Sequence, residues 1–219
     1  MKKFTTVIVA LLFTVGIFAG CSGKSTTTST NNSSTESSDS KSQPISKSYV
    51  DLMKTGKYLM HYKATITSNG QSVDIDSTMA IDGGAISATT VTSGVKAHMI
   101  IKDKTFYMIN DDSKTYMKFT SEGNSTLSAS FKNVEDDKIN TAGITYTGSG
   151  KDTINGKELK YEEYKTDAGT LRYYLDGNNL YAIVVKSAES QMTMIIVELS
   201  DKVDASMFEV PSGYTEMKI

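Results

Sequence analysis

Four sets of residues have types and spacings that could do chemistry. Cys21 is the only cysteine in the 219 residues, and Gly23-Lys24-Ser25 behind it repeats the tail of a phosphate-binding loop. His61 and His98 are the only histidines. Asp74 and Asp76 stand two positions apart, ~7 Å on one strand face, a separation that could serve a glycosidase pair. The acidic doublets Asp111-Asp112, Asp136-Asp137 and Glu162-Glu163 complete the set.

Most of these fail for want of context. A phosphate loop needs glycine five positions before Gly23, where Phe18 stands, and a strand before it with a helix after. A second decoy, Gly148-Ser149-Gly150-Lys151-Asp152, has Thr145 in place of that glycine and Asp where Ser or Thr is required. The two histidines sit among polar neighbours on alternating segments, which points them to solvent, and no carboxylate cluster joins them to make a metal site. The acidic doublets fall at expected turns or edges, and Asp74 and Asp76 on a solvated strand face. No serine sits in a nucleophile elbow. Neither catalytic residue, metal nor cofactor is expected, and the chain reads as a non-enzyme.

Cys21 has a context of its own. Lys2 and Lys3 precede an apolar run from Phe4 to Ala19, the layout of a secretory signal peptide and shorter than a membrane-spanning helix requires. Phe18-Ala19-Gly20-Cys21 resembles the bacterial lipobox, which usually carries Leu where Phe18 stands. The resemblance implies cleavage after residue 20, a diacylglyceryl group on the Cys21 sulfur and a lipoprotein on the outer face of the cell membrane. Two acyl chains anchor stably where one does not, since each buried methylene contributes ~0.8 kcal/mol.

Cleavage removes Lys2 and Lys3, which leaves 21 basic against 25 acidic side chains. That balance argues against a nucleic-acid partner and against electrostatic capture by anionic lipid. With Cys21 modified no disulfide can form, so the core alone must hold the fold. Residues 22–43 contain 16 Ser, Thr or Asn in 22 positions and no large apolar side chain. Such a segment is a tether that cannot offset its ordering entropy, spanning ~25 Å r.m.s. and ~75 Å at full stretch. The organisation is therefore a signal peptide over 1–20, lipidated Cys21 and tether over 21–44, and one domain over 45–219.

The domain reads as strands. A helix over Ser48 to Lys54 opens it, with Tyr49, Leu52 and Met53 on one face and Gly56 as its stop. Tyr58, Met60, Tyr62, Ala64 and Ile66 then alternate with polar residues, the period of a strand with one buried face. Asn69-Gly70 marks a tight hairpin, and Val73, Ile75, Met79 and Ile81 return on one side. Further strands follow over 85–92, 95–102, 105–110, 114–120, 143–155, 158–166, 170–176, 180–188 and 191–199. The runs 181–185 and 194–197 are apolar on both faces and are expected to be covered on both. Alternation lapses over Asn124 to Asp137, where Leu127, Phe131 and Val134 stand at helical spacing behind Ser125, read as a short helix or flap. The expectation is a mainly β domain of about ten antiparallel strands and one or two short helices.

Near the C-terminus, Asp204-Ala205-Ser206-Met207-Phe208-Glu209-Val210-Pro211-Ser212-Gly213-Tyr214 reads as a strand ended at Val210 by Pro211, with a turn at Gly213. This segment resembles the ending of LolA-like exported proteins. Leu171 to Leu180, with its Asp176-Gly177 turn, is similar to that family's paired strands. The resemblance to the LolA/LolB/LppX-like superfamily implies a strongly curved antiparallel sheet, a half-open β-barrel with helices in its concavity. It also implies one of two roles, binding of a lipid, acyl chain or lipoprotein in that concavity, or partnership with another envelope protein. Alternation names the residues that would line it: Tyr58, Met60, Tyr62, Ile66, Val73, Ile75, Met79, Met99, Phe106, Met108, Phe119, Tyr173 and Met194. The ten methionines of the mature chain suit variable apolar ligands, or fill a core that lacks tryptophan. Replacing Cys21 by Ser is expected to abolish incorporation of a labelled acyl chain and move the protein from membrane to soluble fraction; label retained by that variant would show the anchor is elsewhere.

Overall fold

The computed structural model describes residues 44–120, 144–167 and 169–218. The expected helix or flap over 124–137 lies outside them, as do Cys21 and the tether. One helix, α1 (Lys47–Lys54), leads into β1 (Lys57–Ser68), β2 (Gln71–Asp82), β3 (Ala85–Thr92), β4 (Val95–Lys102), β5 (Thr105–Asn110) and β6 (Thr115–Thr120). After residue 144 come β7 (Thr145–Ile154), β8 (Lys157–Thr166), β9 (Gly169–Asp176), β10 (Asn179–Lys186) and β11 (Ser190–Ser200). A 3-10 turn (Ala205–Phe208) and the short β12 (Thr215–Glu216) end the chain.

All twelve strands form one strongly curved open sheet in the order β12-β6-β5-β4-β3-β2-β1-β11-β10-β9-β8-β7. Neighbours are antiparallel except β12, which runs parallel to β6. The turns carry this pattern. At Asn69-Gly70 and Asn155-Gly156 both residues have φ between 50° and 77°, the paired positive values of the hairpin turn whose twist matches the strands.

Alternation assigns two faces. On β1, Tyr58, Met60, Tyr62 and Ala64 are buried on the inner face, the side against which α1 packs. Fifteen buried residues from α1, β1, β2, β3, β9, β10 and β11 join there in one continuous cluster. The outer face instead carries two separate clusters, one around Ala80, Ile100, Ile109 and Phe208, the other around Leu159, Tyr174, Ala182 and Val184.

Three expectations are corrected. The segment before Pro211 is not a strand: Ala205–Phe208 forms a 3-10 turn whose Phe208 packs on the outer face. Pairing resumes past Pro211, because the positive φ of Gly213 turns the chain back to place Thr215 and Glu216 beside β6. The run 181–185 is covered on both faces, whereas the run 194–197 is not. A register shift between His61 and Tyr62 leaves Val197 unpaired at a bulge and 54% exposed.

Met60 is fully buried at the centre of this arrangement. Met60→Ala is expected to lower stability by about 2–5 kcal/mol, and Val197→Ala by about 0.5 kcal/mol or less. Urea midpoints measure both, and equal shifts would show that the inner cluster is not the core.

Candidate functional site

The inner face is the candidate site, and registry brings all thirteen expected lining residues onto it. Met60 pairs with Met79, Met79 with Ala88, Ala88 with Met99, Met99 with Met108 and Met108 with Met117. These six residues make one row across β1 to β6. A parallel row runs Tyr58, Ile81, Ile86, Ile101, Phe106 and Phe119. In the other direction Ala64 faces Met194, Met194 faces Ile183 and Ile183 faces Tyr173. Ile66 and Val73 pair directly, as do Ala64 and Ile75.

Burial divides the set. Tyr58, Met60, Tyr62, Ile75, Met79, Met99, Tyr173 and Met194 are buried, while Ile66, Val73, Phe106, Met108 and Phe119 are half-buried. The half-open part is the flank formed by β4, β5 and β6, where Ile101, Phe106, Met108, Met117 and Phe119 all keep some exposure. Eight of the eleven methionines, Met53, Met60, Met79, Met99, Met108, Met117, Met192 and Met194, lie on this face. Met117 and Met192 were legible as members from their two-residue spacing to Phe119 and Met194.

Polar groups on this face are few. Ser77 and Thr90, on neighbouring strands, share a 2.9 Å hydroxyl hydrogen bond. Among the described residues the buried Thr92 hydroxyl has no hydrogen-bond partner. A shallow solvent-open hollow of about 480 Å³ lies at the start of α1, lined by Pro44, Ile45, Lys47, Ser48, Asp51 and Asn178, and none of the thirteen residues reaches it.

The sequence places Glu162 in an acidic pair at a turn or edge, and the structure corrects this. It is a mid-strand residue of β8, 8% exposed, whose partner Tyr173 places it on the inner face. Its carboxylate accepts from the backbone N–H of Ile45 at 2.8 Å and of Ser46 at 2.9 Å, and from the Ser46 hydroxyl. The Tyr164 hydroxyl then donates to Ser46 Oγ at 2.8 Å. A carboxylate at a helix start satisfies orphan donors and complements the dipole. No alternation pattern shows such a contact, because the partners are 116 residues apart.

The histidines lie on the outer face and are less open than expected. His61 Nε2 meets Asp76 at 2.8 Å, and His98, whose side chain is 16% exposed, meets Asp111 at 3.3 Å. Asp74 accepts from Thr65 at 2.7 Å, so Asp74 and Asp76 each serve a cross-strand contact. Asp111 also takes Lys96 at 2.6 Å and the Tyr214 hydroxyl at 3.0 Å. Burial alone would raise its pKa; hydrogen bonds from Lys96, Tyr214 and His98 outweigh that and hold it below the usual carboxylate value. Asp136-Asp137 lie outside the described residues. Gly148 to Asp152 is extended strand. Among the described residues no group of three or more His, Cys, Asp or Glu is placed to hold a metal ion.

Because Asp111 has a lower pKa folded than unfolded, it contributes stability above the unfolded carboxylate range, about pH 4, and loses it as pH falls through the folded-state value. The Asp111→Asn variant is expected to be less stable at neutral pH and to lose less on acidification. Urea midpoints followed from neutral to acid pH measure this, and parallel curves for the two proteins would exclude the linkage.

No protein-family model matches the chain, and no curated protein does. Among solved structures it is similar to LprF from Mycobacterium bovis, at 15% identity over 78% of this chain and 95% of that one, with a TM-score of 0.46. It is similar to a putative outer membrane lipoprotein-sorting protein domain from Vibrio parahaemolyticus, at 7% identity over 75% and 97% of the two chains, TM-score 0.31. The MucA/MucB complex of Pseudomonas aeruginosa also matches, at 8% identity over 71% of this chain and 55% of that one, TM-score 0.39. At these identities and TM-scores no residue role passes from those proteins to this one.

Proposed function

We propose that the protein is a membrane-anchored, extracytoplasmic lipoprotein that takes an acyl chain or similar apolar ligand on its inner face, without catalysis. The observation that supports this best is the methionine row. It starts in the closed core at Met60 and Met79 and ends on the half-open flank at Met108 and Met117. Methionine side chains are unbranched and repack at low cost, so the flank can part to admit a chain that the core end stops. Inner-face Thr92 offers a buried hydroxyl to a polar ligand atom.

One observation favours a second reading, an adaptor for another envelope protein. Among the described residues the ten-residue β7 pairs on one side only, with β8, and carries Tyr146 at 47% exposure. An edge of that length can accept a strand from a partner.

Native mass spectrometry on the chain from residue 22, secreted without its lipid and never exposed to detergent, separates the two. A co-purifying lipid of defined mass, lost in Met79→Glu/Met108→Glu, is expected. A clean mass that added membrane lipids leave unchanged would remove the binding reading and turn attention to β7.

A further inference from the structure

The β4–β6 flank carries a second pattern that apolar packing does not require. On its inner side it presents three rows. Ile101, Phe106 and Phe119 form one, Met99, Met108 and Met117 the next, and Asn110 paired with Thr115 belongs to the third, with Ala97 two residues from Met99 on the same face. Every one of these side chains is uncharged. The flank's charged residues Lys96, Lys102 and Lys118 alternate with them and point to the outer side, where they pair with Asp111, Glu209 and Glu216.

Three thioethers therefore stand side by side on consecutive strands. Directly opposed side chains have Cβ atoms about 4.5–5.5 Å apart, so the outer two lie about 10 Å apart with the third between them. A methionine sulfur is joined to its Cβ through one flexible methylene, and all three sulfurs can converge on one point above the central residue. Strand propensity would favour Val, Ile or Phe at such positions, as the adjacent row shows, so three methionines in one row ask for a reason that sulfur supplies. The row is also graded in access. Met99 is 6% exposed, while Met108 and Met117 are half-buried and reachable from solvent.

We propose that Met99, Met108 and Met117 form a trithioether site for a soft monovalent cation, Cu(I) in the extracytoplasmic setting. Soft thioether donors select Cu(I), whereas carboxylate, carbonyl and water select harder ions. The absence of any anionic side chain among these three rows fits a monovalent ion held by neutral ligands and gives a divalent hard ion nothing to bind. The flanking Phe106 and Phe119, whose rings lie 6.2 Å apart, shield one side of the site from water. This inference does not rest on the acyl-chain reading, since it needs the sulfur atoms and not the apolar volume.

The mature chain with Cys21→Ser, which has no thiol, is the protein to test. It is titrated with Ag(I) as a redox-inert probe under native mass spectrometry, and with Cu(I) against bicinchoninate without oxygen. One ion per chain is expected. Each of Met99→Leu, Met108→Leu and Met117→Leu should weaken binding at least about tenfold, the lower range seen for lost supporting groups at metal sites. The triple leucine variant should bind none, and Met217→Leu, at an exposed methionine, should change nothing. Leucine keeps the volume, so the triple variant is expected to hold its thermal melt. Ag(I) should also protect Met108 and Met117, but not Met217, from oxidation to sulfoxide by peroxide. Wild-type protein that fails to compete with bicinchoninate overturns the proposal. So does a triple leucine variant that binds as well as wild type, or loss of binding in Met217→Leu. Should the triple variant unfold, the single variants and the pattern of sulfoxide protection decide.

Discussion

The hydrogen bonds from residues 45 and 46 to the Glu162 carboxylate are the contact on which the closed end of the molecule depends. An isolated helix of eight residues is not stable in water, so α1 exists because the sheet holds it. Its start is held by three donors on one buried carboxylate. Its side is held by the buried Met53 and by the Tyr49 hydroxyl, which donates to the carbonyl of Asn178. Its end is held by the Gly83 N–H, which donates to the Gly56 carbonyl at 2.9 Å. These contacts reach β8, the β9–β10 turn and the β2–β3 turn, so one short helix braces both halves of an otherwise open sheet. With no cysteine besides Cys21, the fold has no covalent substitute for this brace.

The opposite end is held from the outer face. Phe208 packs with Ala80, Ile100 and Ile109, and the chain then crosses to β12 through the Tyr214–Asp111 hydrogen bond. Two residues of parallel pairing against β6 follow. The effect is to fix β4, β5 and β6 from behind while leaving their inner side half open. A sheet covered on one face and partly bare on the other can present flexible side chains without losing its register, because register is set by the covered face.

Much of this was legible in the sequence for a local reason. Strand alternation and Asn-Gly turns depend on neighbours a few residues apart, so β1 through β11 could be placed from residue type alone, and with them the shared face of Met60, Met79, Met99 and Met108. What could not be read depends on contacts between distant segments. Glu162 looks like a solvated acid until the start of α1 folds over it. The segment 205–208 has the composition of a strand end, and only the apolar patch around Ile100 turns it into a 3-10 anchor. Val197 is apolar and sits in an apolar run, yet a register shift with β1 puts it in solvent. His98 looks like a surface residue because its partner Asp111 lies in a different turn.

The two ends meet in a simple mechanical relation. Pro44 is the last residue before Ile45, the first donor to Glu162, so the segment that leads from Cys21 enters the domain at the clamp of α1. The methionine row begins under that helix at Met60 and runs to the half-open flank five strands away. Along it the thioethers change from tightly packed to accessible while the chemistry of the side chain stays the same. A gradient of that kind needs a rigid origin, since adaptable side chains specify a geometry only where their surroundings are fixed. The Glu162 clamp supplies the origin, and the curvature of the sheet carries the row outward to where solvent can reach it.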